Sequence, residues 1–263
     1  MLDYAQQGHC VTLTINRTDM RNALGEPGDG AVFAEACARI NQDRAVRCVI
    51  LTGAGSAFSA GGNIKAMQEG RAPFGGLGAH IADSYRQGIH RIIRSLWQLE
   101  VPAIAAVNGP CAGISYSYAM ACDLMVMVES AYLFQPFVGI GLVPDGGATW
   151  LLPSFVGAKR AYELMAFGEK LDAEKAVEWG LANRVLPDDD FAGHAMTFAQ
   201  ELAGRSPLGL RYAKEALAFG ASHNLGDTIS KEAALQVSCI GSDDSKEAIK
   251  AFFEKRQPDW QGK

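Results

Sequence analysis

Residues 47–65 read RCVILTGAGSAFSAGGNIK, and the glycine-rich loop behind the apolar run in this stretch decides the fold. Residues 47–51 form a β-branched strand, and the loop carries Gly53, Gly55, Gly61 and Gly62. Neither familiar phosphate loop fits. The dinucleotide fingerprint matches Gly53 and Gly55 but meets Phe58 where a third glycine is needed, and no Gly-Lys-Ser/Thr comes after it. A second strand-to-loop passage, residues 103–118, reads AIAAVNGPCAGISYSY and runs into a helix whose first turn exposes unpaired N–H groups. In an open parallel sheet, ligands bind beyond the carboxyl ends of the strands. Two such loops converging on one oxygen atom make an oxyanion hole, which stabilises charge developing on a carbonyl.

Outward from these loops, apolar strand patterns at 11–15, 47–51, 103–107, 124–128 and 132–134 alternate with helical patterns at 31–41, 80–99 and 113–122. This βαβ alternation predicts one α/β core. A Gly/Pro-rich passage fills 136–147, and a short strand is expected at 183–186. From there the pattern is helical, at 188–203, 207–220, 224–240 and 243–256, with stripes such as Leu210, Ala213, Leu217 and Ile229, Ala233, Val237. These last helices are too few for a second large core, so they are expected to cover the first core or a neighbouring subunit.

The 263 residues are 48% hydrophobic and 20% charged with a net charge of −5, which excludes intrinsic disorder and disfavours a nucleic-acid groove. The first residues, MLDYAQQGHC, lack the pattern of a secretory signal. Asp123 interrupts the longest apolar run, which falls short of the ~18 residues of a membrane span. No membrane association and a cytoplasmic location are therefore expected. Six cysteines are scattered without C-x-x-C spacing or a nearby histidine, so no metal site and no dithiol motif is expected. The five histidines are equally dispersed, and none marks a nucleophile motif.

Several of these segments resemble the crotonase superfamily, the enoyl-CoA hydratases and isomerases. The resemblance spans most of the chain: Asn16-Arg17 with Asn22-Ala23-Leu24, FSAGGNIK at 58–65, PAIAAVNG at 102–109, ACD at 121–123 and GLVP at 141–144. It implies a crotonase-like right-handed spiral of ββα turns over residues 1–200, holding the acyl-CoA site. A C-terminal helical oligomerisation region over 201–263 is implied with it, packing a homotrimer or a dimer of trimers. By the same resemblance the oxyanion amides fall on Gly62 and Ile114, although the family usually has consecutive glycines at the second position. Asn63 stands where an aspartate is common. The adenine of coenzyme A is expected against the backbone around Ser59, Ala60 and Ile64, with Phe252 and Lys255 reaching it from the last helix, from this chain or a neighbour. No cofactor is implied, because coenzyme A enters as part of the substrate.

The acid/base positions depart from the hydratase pattern. Hydratases carry two glutamates there; in this chain the first falls on Ser117 and the second on Phe137. Neither can exchange the protons that addition of water to an alkene requires. A different carboxylate, Asp145, lies beyond them in Pro144-Asp145-Gly146-Gly147, where the resemblance places the aspartate of certain isomerases and the nucleophile of aryl-CoA dehalogenases. Read from the residues alone, Asp145 also suits an N-cap for a helix starting near Ala148. A lone carboxylate in an apolar site beside an oxyanion hole can move a proton between two carbons. The expected apolar wall is Phe134, Phe137, Val138 and Trp150. The leading expectation is 3-enoyl to 2-enoyl isomerisation with Asp145 as shuttle. Its alternatives are a hydratase-like lyase, a dehalogenase or hydrolase with Asp145 as nucleophile, and a catalytically weak acyl-CoA-binding protein.

Three further features have modest expectations. Ser117 either touches the acyl group or bonds the backbone of its own helix. Residues 68–77, with Gly70, Pro73, Gly75 and Gly76, read as a loop that lines the acyl tunnel. Lys65 is either a phosphate partner or a solvated helix charge, and Asp123 is structural.

Overall fold

The computed structural model describes all 263 residues. Strands β1 (Leu2–Gln7), β2 (Cys10–Ile15), β3 (Cys48–Gly53), β4 (Ala103–Val107), β6 (Leu124–Val128) and β9 (Arg184–Leu186) form one sheet in that order. Only the β1–β2 pair is antiparallel. A smaller sheet pairs β5 (Cys111–Ala112), β7 (Tyr132–Phe134) and β8 (Leu171–Asp172). The chain alternates between the two sheets: β4 then β5 then helix α5 (Ile114–Met120), and next β6 then β7 then α6 (Ala148–Phe167). Each turn is thus two strands and a helix, the ββα spiral.

The interior strands β3 and β4 are covered on both faces, which is why they read as unbroken apolar runs rather than alternating ones. All of Ala103–Val107 is buried, and Val49 faces Ala103 across the parallel register. Helix α1 (Asp29–Gln42) packs through Phe33, Cys37 and Ile40, and α4 (Ile89–Trp97) through Ile89, Ile92 and Leu96, each at helical spacing. The helix expected over 80–99 is in fact two, α3 (Gly78–Gln87) and α4, separated at Gly88. A Cβ at Gly30 on α1 would strike the carbonyls of Gln87 and Gly88, so α1 crosses hard against this break.

Helix α2 (Ile64–Gln68) starts at the first glycine loop, and α7 (Ala173–Glu178) and α8 (Phe191–Ala203) flank β9. Helices α9 (Pro207–Gly220), α10 (Leu225–Ile240) and α11 (Asp243–Glu254) close the chain. They leave Leu217, Ile229, Val237, Phe252 and Phe253 exposed. No helix is long and apolar enough to cross a membrane.

Candidate active site

Backbone contacts lock the two glycine loops together. The Asn108 amide accepts from the Gly53 N–H at 3.1 Å and donates to the Gly53 carbonyl at 2.8 Å, so the loop after β4 grips the end of β3. Asn22, wholly buried, donates to the Ala54 and Ala57 carbonyls, both at 2.8 Å. Arg17 makes a bidentate pair with Asp29 at 2.6 and 2.8 Å, holding the preceding turn. Ser59 and Ala112 pair through the Ala112 N–H to the Ser59 carbonyl at 3.0 Å. Gly61 has φ +88°, and a Cβ there would collide with the Ala112 carbonyl, so only glycine permits this approach.

Two amides are left over. The Gly62 and Ile114 N–H groups have no backbone acceptor, and both residues line one cavity of about 450 Å³. Ile114 is the first residue of α5, where an N–H has no intrahelical partner. The unusual backbone falls one residue earlier, on Gly113 (φ 58°, ψ −126°), so a β-branched side chain at 114 is unstrained. Isoleucine is therefore compatible with the backbone at this position.

Asp145 lines the same cavity and is its only carboxylate. Its Oδ1 is buried without a hydrogen-bond partner, and burial pushes its pKa up to about 6, partly opposed by its own backbone N–H. The capping role is absent: the N-cap of α6 is Gly147, and no side chain caps that helix. The Asp145 backbone carbonyl instead accepts from the Ala148 N–H at 3.1 Å and from the Ser117 hydroxyl at 2.9 Å. Gly146 (φ +63°) comes next, where a Cβ would collide with the Ile114 side chain, so the Asp145 turn sits directly on the start of α5.

Most of the remaining lining is apolar and aromatic, including Phe74, Ile81, Tyr85, Ile89, Phe137, Ile140, Leu142 and Val143, and Arg86 and His90 add two polar side chains. Phe74 meets Tyr85 edge-on at 5.9 Å, and Tyr85 meets His90 edge-on at 5.6 Å. Burial raises the Tyr85 phenol, with the Asp145 charge adding to it, while burial and then Arg94 and Arg86 lower the His90 imidazole. A second cavity of about 610 Å³ shares Ala60, Gly62 and Ile64 with the first and adds Lys65, Arg71, Glu26 and Glu69.

Two adjoining amides facing a cavity with one raised carboxylate is an arrangement that comparison with known proteins can place. Residues 5–263 match the family model described as enoyl-CoA hydratase/isomerase. The chain belongs to this family. It is 33% identical to 1,2-epoxyphenylacetyl-CoA isomerase of Escherichia coli, over all of this chain and 98% of that protein. It is 32% identical to the short-chain-enoyl-CoA hydratase of Clostridium acetobutylicum, over 96% of this chain and 94% of the other. The crystal structure of an enoyl-CoA hydratase from Polaromonas sp. JS666 superposes with a TM-score of 0.93, at 32% identity and 99% coverage of both chains. The fold is the crotonase spiral, and the protein is an enoyl-CoA hydratase/isomerase-type acyl-CoA enzyme.

Within this enoyl-CoA hydratase/isomerase fold, the structure brings Gly62, Ile114, Phe137 and Asp145 to one cavity, and Ala60 and Ile64 to its junction with the second. Other residues expected at the site lie outside these linings in this chain. Ser117 is 0% exposed, and its hydroxyl donates to the Asp145 carbonyl rather than to its own helix. Ser59 is also 0% exposed; its hydroxyl donates to the Asn22 carbonyl at 2.7 Å and accepts from Gly61 at 3.1 Å, so it braces the loop from behind. Phe252 is 78% exposed on α11 and, like Lys255, lines neither cavity in this chain. Of the expected wall, only Phe137 lines the site. Trp150 instead packs edge-on to Trp97 at 5.6 Å and lines a separate groove.

Asn63 caps α2, accepting from the Ala66 N–H at 3.1 Å, and donates to Glu26 at 2.7 Å, a bond an aspartate has no proton to make. Lys65 is largely solvated beside the second cavity, and Asp123 holds Ala103 N–H and Lys214. Phe74 brings the 68–77 loop to the cavity as expected, and the residues missed at the level of sequence are Tyr85 and His90. An aromatic or histidine every few residues across 74–90 was the only available signal, and dispersion of the histidines argued against it.

Proposed function

We propose that this enzyme moves a double bond in an acyl-CoA thioester, most simply from the 3-enoyl to the 2-enoyl position, with Asp145 as its single proton shuttle. The thioester oxygen accepts from the Gly62 and Ile114 N–H groups, and the dienolate formed when Asp145 takes the acidic C2 proton is held there. The same carboxyl then returns the proton to C4, which leaves the double bond between C2 and C3. The observation that carries this reading is the Asp145 carboxylate: unpartnered at Oδ1, raised by burial, and alone in the cavity that holds the two free amides. A base near pKa 6 is matched to proton transfer close to neutral pH. Hydration needs a second acid/base group where Phe137 stands, so crotonyl-CoA is expected to hydrate slowly.

The coenzyme A portion runs toward the second cavity past Ala60 and Ile64, with Lys65 and Arg71 as its nearby cations. The exposed apolar side chains of α10 and α11 support association of copies as a trimer or dimer of trimers, which is where Phe252 and Lys255 would meet a neighbour's substrate. Replacing Asp145 with Asn tests the assignment. Isomerisation of a 3-enoyl-CoA is expected to vanish while acyl-CoA binding persists; an active Asn variant would contradict it.

One observation favours a second reading, in which Asp145 attacks as a nucleophile and water cleaves the resulting ester. His90 lines the same cavity and is held toward its neutral form, so it supplies a base for that water.

A further inference from the structure

Gly61 and Gly62 are consecutive, and without side chains they have nothing of their own to fix the peptide between them. A trans peptide points its carbonyl and its N–H in opposite directions. The Gly61 carbonyl accepts from the Leu24 N–H at 2.8 Å, in an isolated parallel bridge between Leu24 and Gly62, so the Gly62 N–H points away from Leu24. The residue after Gly62 is held by the same turn. Glu26 accepts from the Asn63 side-chain amide through Oε1 at 2.7 Å, while its Oε2 faces the Arg71 guanidinium at 3.5 Å. Glu26 is itself anchored: its N–H and that of Gly25 donate to Asp29 Oδ2 at 3.0 and 2.9 Å, and Asp29 is the partner of Arg17.

We infer that Glu26 is a positioning residue for the reaction: through Asn63 it holds the Gly62 N–H in its aim at the thioester oxygen. The inference rests on the reading of Gly62 as an oxyanion donor. Such a donor stabilises developing charge only if it is oriented beforehand, and the 24–26 turn clamps Gly62 on both sides, Leu24 at the residue before and Glu26 at the residue after. Capping does not account for the asparagine. Asn63 caps α2 through its amide oxygen, on the Ala66 N–H at 3.1 Å, and an aspartate caps a helix equally well. The bond to Glu26 is the one that needs an amide, because a carboxylate has no proton to give. A second carboxylate at position 63 would stand within hydrogen-bond distance of the first, and two like charges so close repel. Arg71, the nearby cation, is already paired with Glu69 at 2.6 Å.

The experiment is difference infrared spectroscopy of hexanoyl-CoA carrying ¹³C at the thioester carbonyl, with protein in excess. The probe is saturated, so it reports the oxyanion hole without turnover: hydrogen bonds to the thioester oxygen polarise the carbonyl and lower its stretching frequency. Wild type is expected to lower the frequency, and Asn63→Asp to lose much of that shift while keeping the helix cap. The double variant Asn63→Asp/Glu26→Gln exchanges donor and acceptor across the same bond, and is expected to restore the shift. Glu26→Ala, which removes the acceptor without bringing two carboxylates together, is expected to lose the shift as Asn63→Asp does, and serves if Asn63→Asp fails to fold. A wild-type shift that persists in either single variant, or a loss that the double variant leaves unrepaired, overturns the inference alone. A wild-type protein that binds the probe without shifting its carbonyl would instead overturn the oxyanion reading, and this inference with it.

Discussion

The Ser117 hydroxyl donates to the backbone carbonyl of Asp145 at 2.9 Å, tying the helix that starts with an oxyanion amide to the loop that carries the carboxylate. Ser117 lies in α5 three residues after Ile114, and the Gly146 turn presses against both side chains. The base and the oxyanion hole are therefore set against each other by one hydrogen bond and one glycine. Ser117→Ala is expected to lower kcat by about 10-fold or more with little change in KM, because reacting atoms misplaced by a fraction of an ångström lose near-attack geometry. Ser117→Thr, which keeps the donor, is expected to retain more activity. Steady-state kinetics of both variants reads this; equal losses in kcat would point to packing alone.

Ile114 offers a clean way to delete one of the two proposed oxyanion donors. It occupies the first position of α5, where proline is well tolerated because that N–H has no helical partner. Ile114→Pro removes the N–H, whereas Ile114→Ala keeps it and loses comparable side-chain bulk. Turnover is expected to fall ~100-fold or more in the proline variant relative to the alanine variant. Similar rates in two folded variants would remove Ile114 from the oxyanion hole.

Asp145 links activity to stability with opposite signs. Its pKa lies near 6 in the folded protein against an ordinary value of 3.8, so between those pH values the folded state holds a proton the unfolded state has lost. Stability therefore falls as pH rises through that window, and above it the ionised carboxylate costs on the order of 2 kcal/mol. Activity, which needs the carboxylate ionised, rises through about pH 6. Asp145→Asn is expected to melt several degrees higher than wild type at neutral pH, with the difference shrinking below about pH 4. Calorimetric melting across pH checks this; a destabilised Asn variant at neutral pH would mean that the carboxylate is not strained by burial.

How much of this was legible in the sequence divides along physical lines. Backbone devices are local, so the loops at 52–65 and 107–114 could be read from glycines placed after apolar strands. The ends of β4, β6 and β7 could be read from their apolar runs. Strand β1 escaped because it is an edge strand whose Asp3, Ala5, Gln6 and Gln7 are exposed, leaving no apolar run to find. The wall of the site escaped for a different reason. Nearness in sequence suggested Trp150, but a helix turns successive residues by about a third of a circle or less, and Trp150 faces away while Leu151 and Leu152 go inward. Tyr85 and His90 stand on the two helices either side of the Gly88 break, which α1 approaches at Gly30, a contact between segments far apart in the chain. Asp145 was legible as a carboxylate in the right register, but its release from capping duty depended on Gly147 taking the N-cap.

The most direct test of the single-carboxylate shuttle is isotopic, in a single turnover of excess enzyme with a 3-enoyl-CoA in D₂O and, separately, in H₂¹⁸O. The account predicts a conjugated product that keeps part of the substrate's own C2 hydrogen at C4, with deuterium entering only as far as the buried carboxyl exchanges, and an Asp145 peptide free of ¹⁸O. Solvent oxygen in the Asp145 side chain would contradict it, since that label enters only when water cleaves an ester formed by nucleophilic attack.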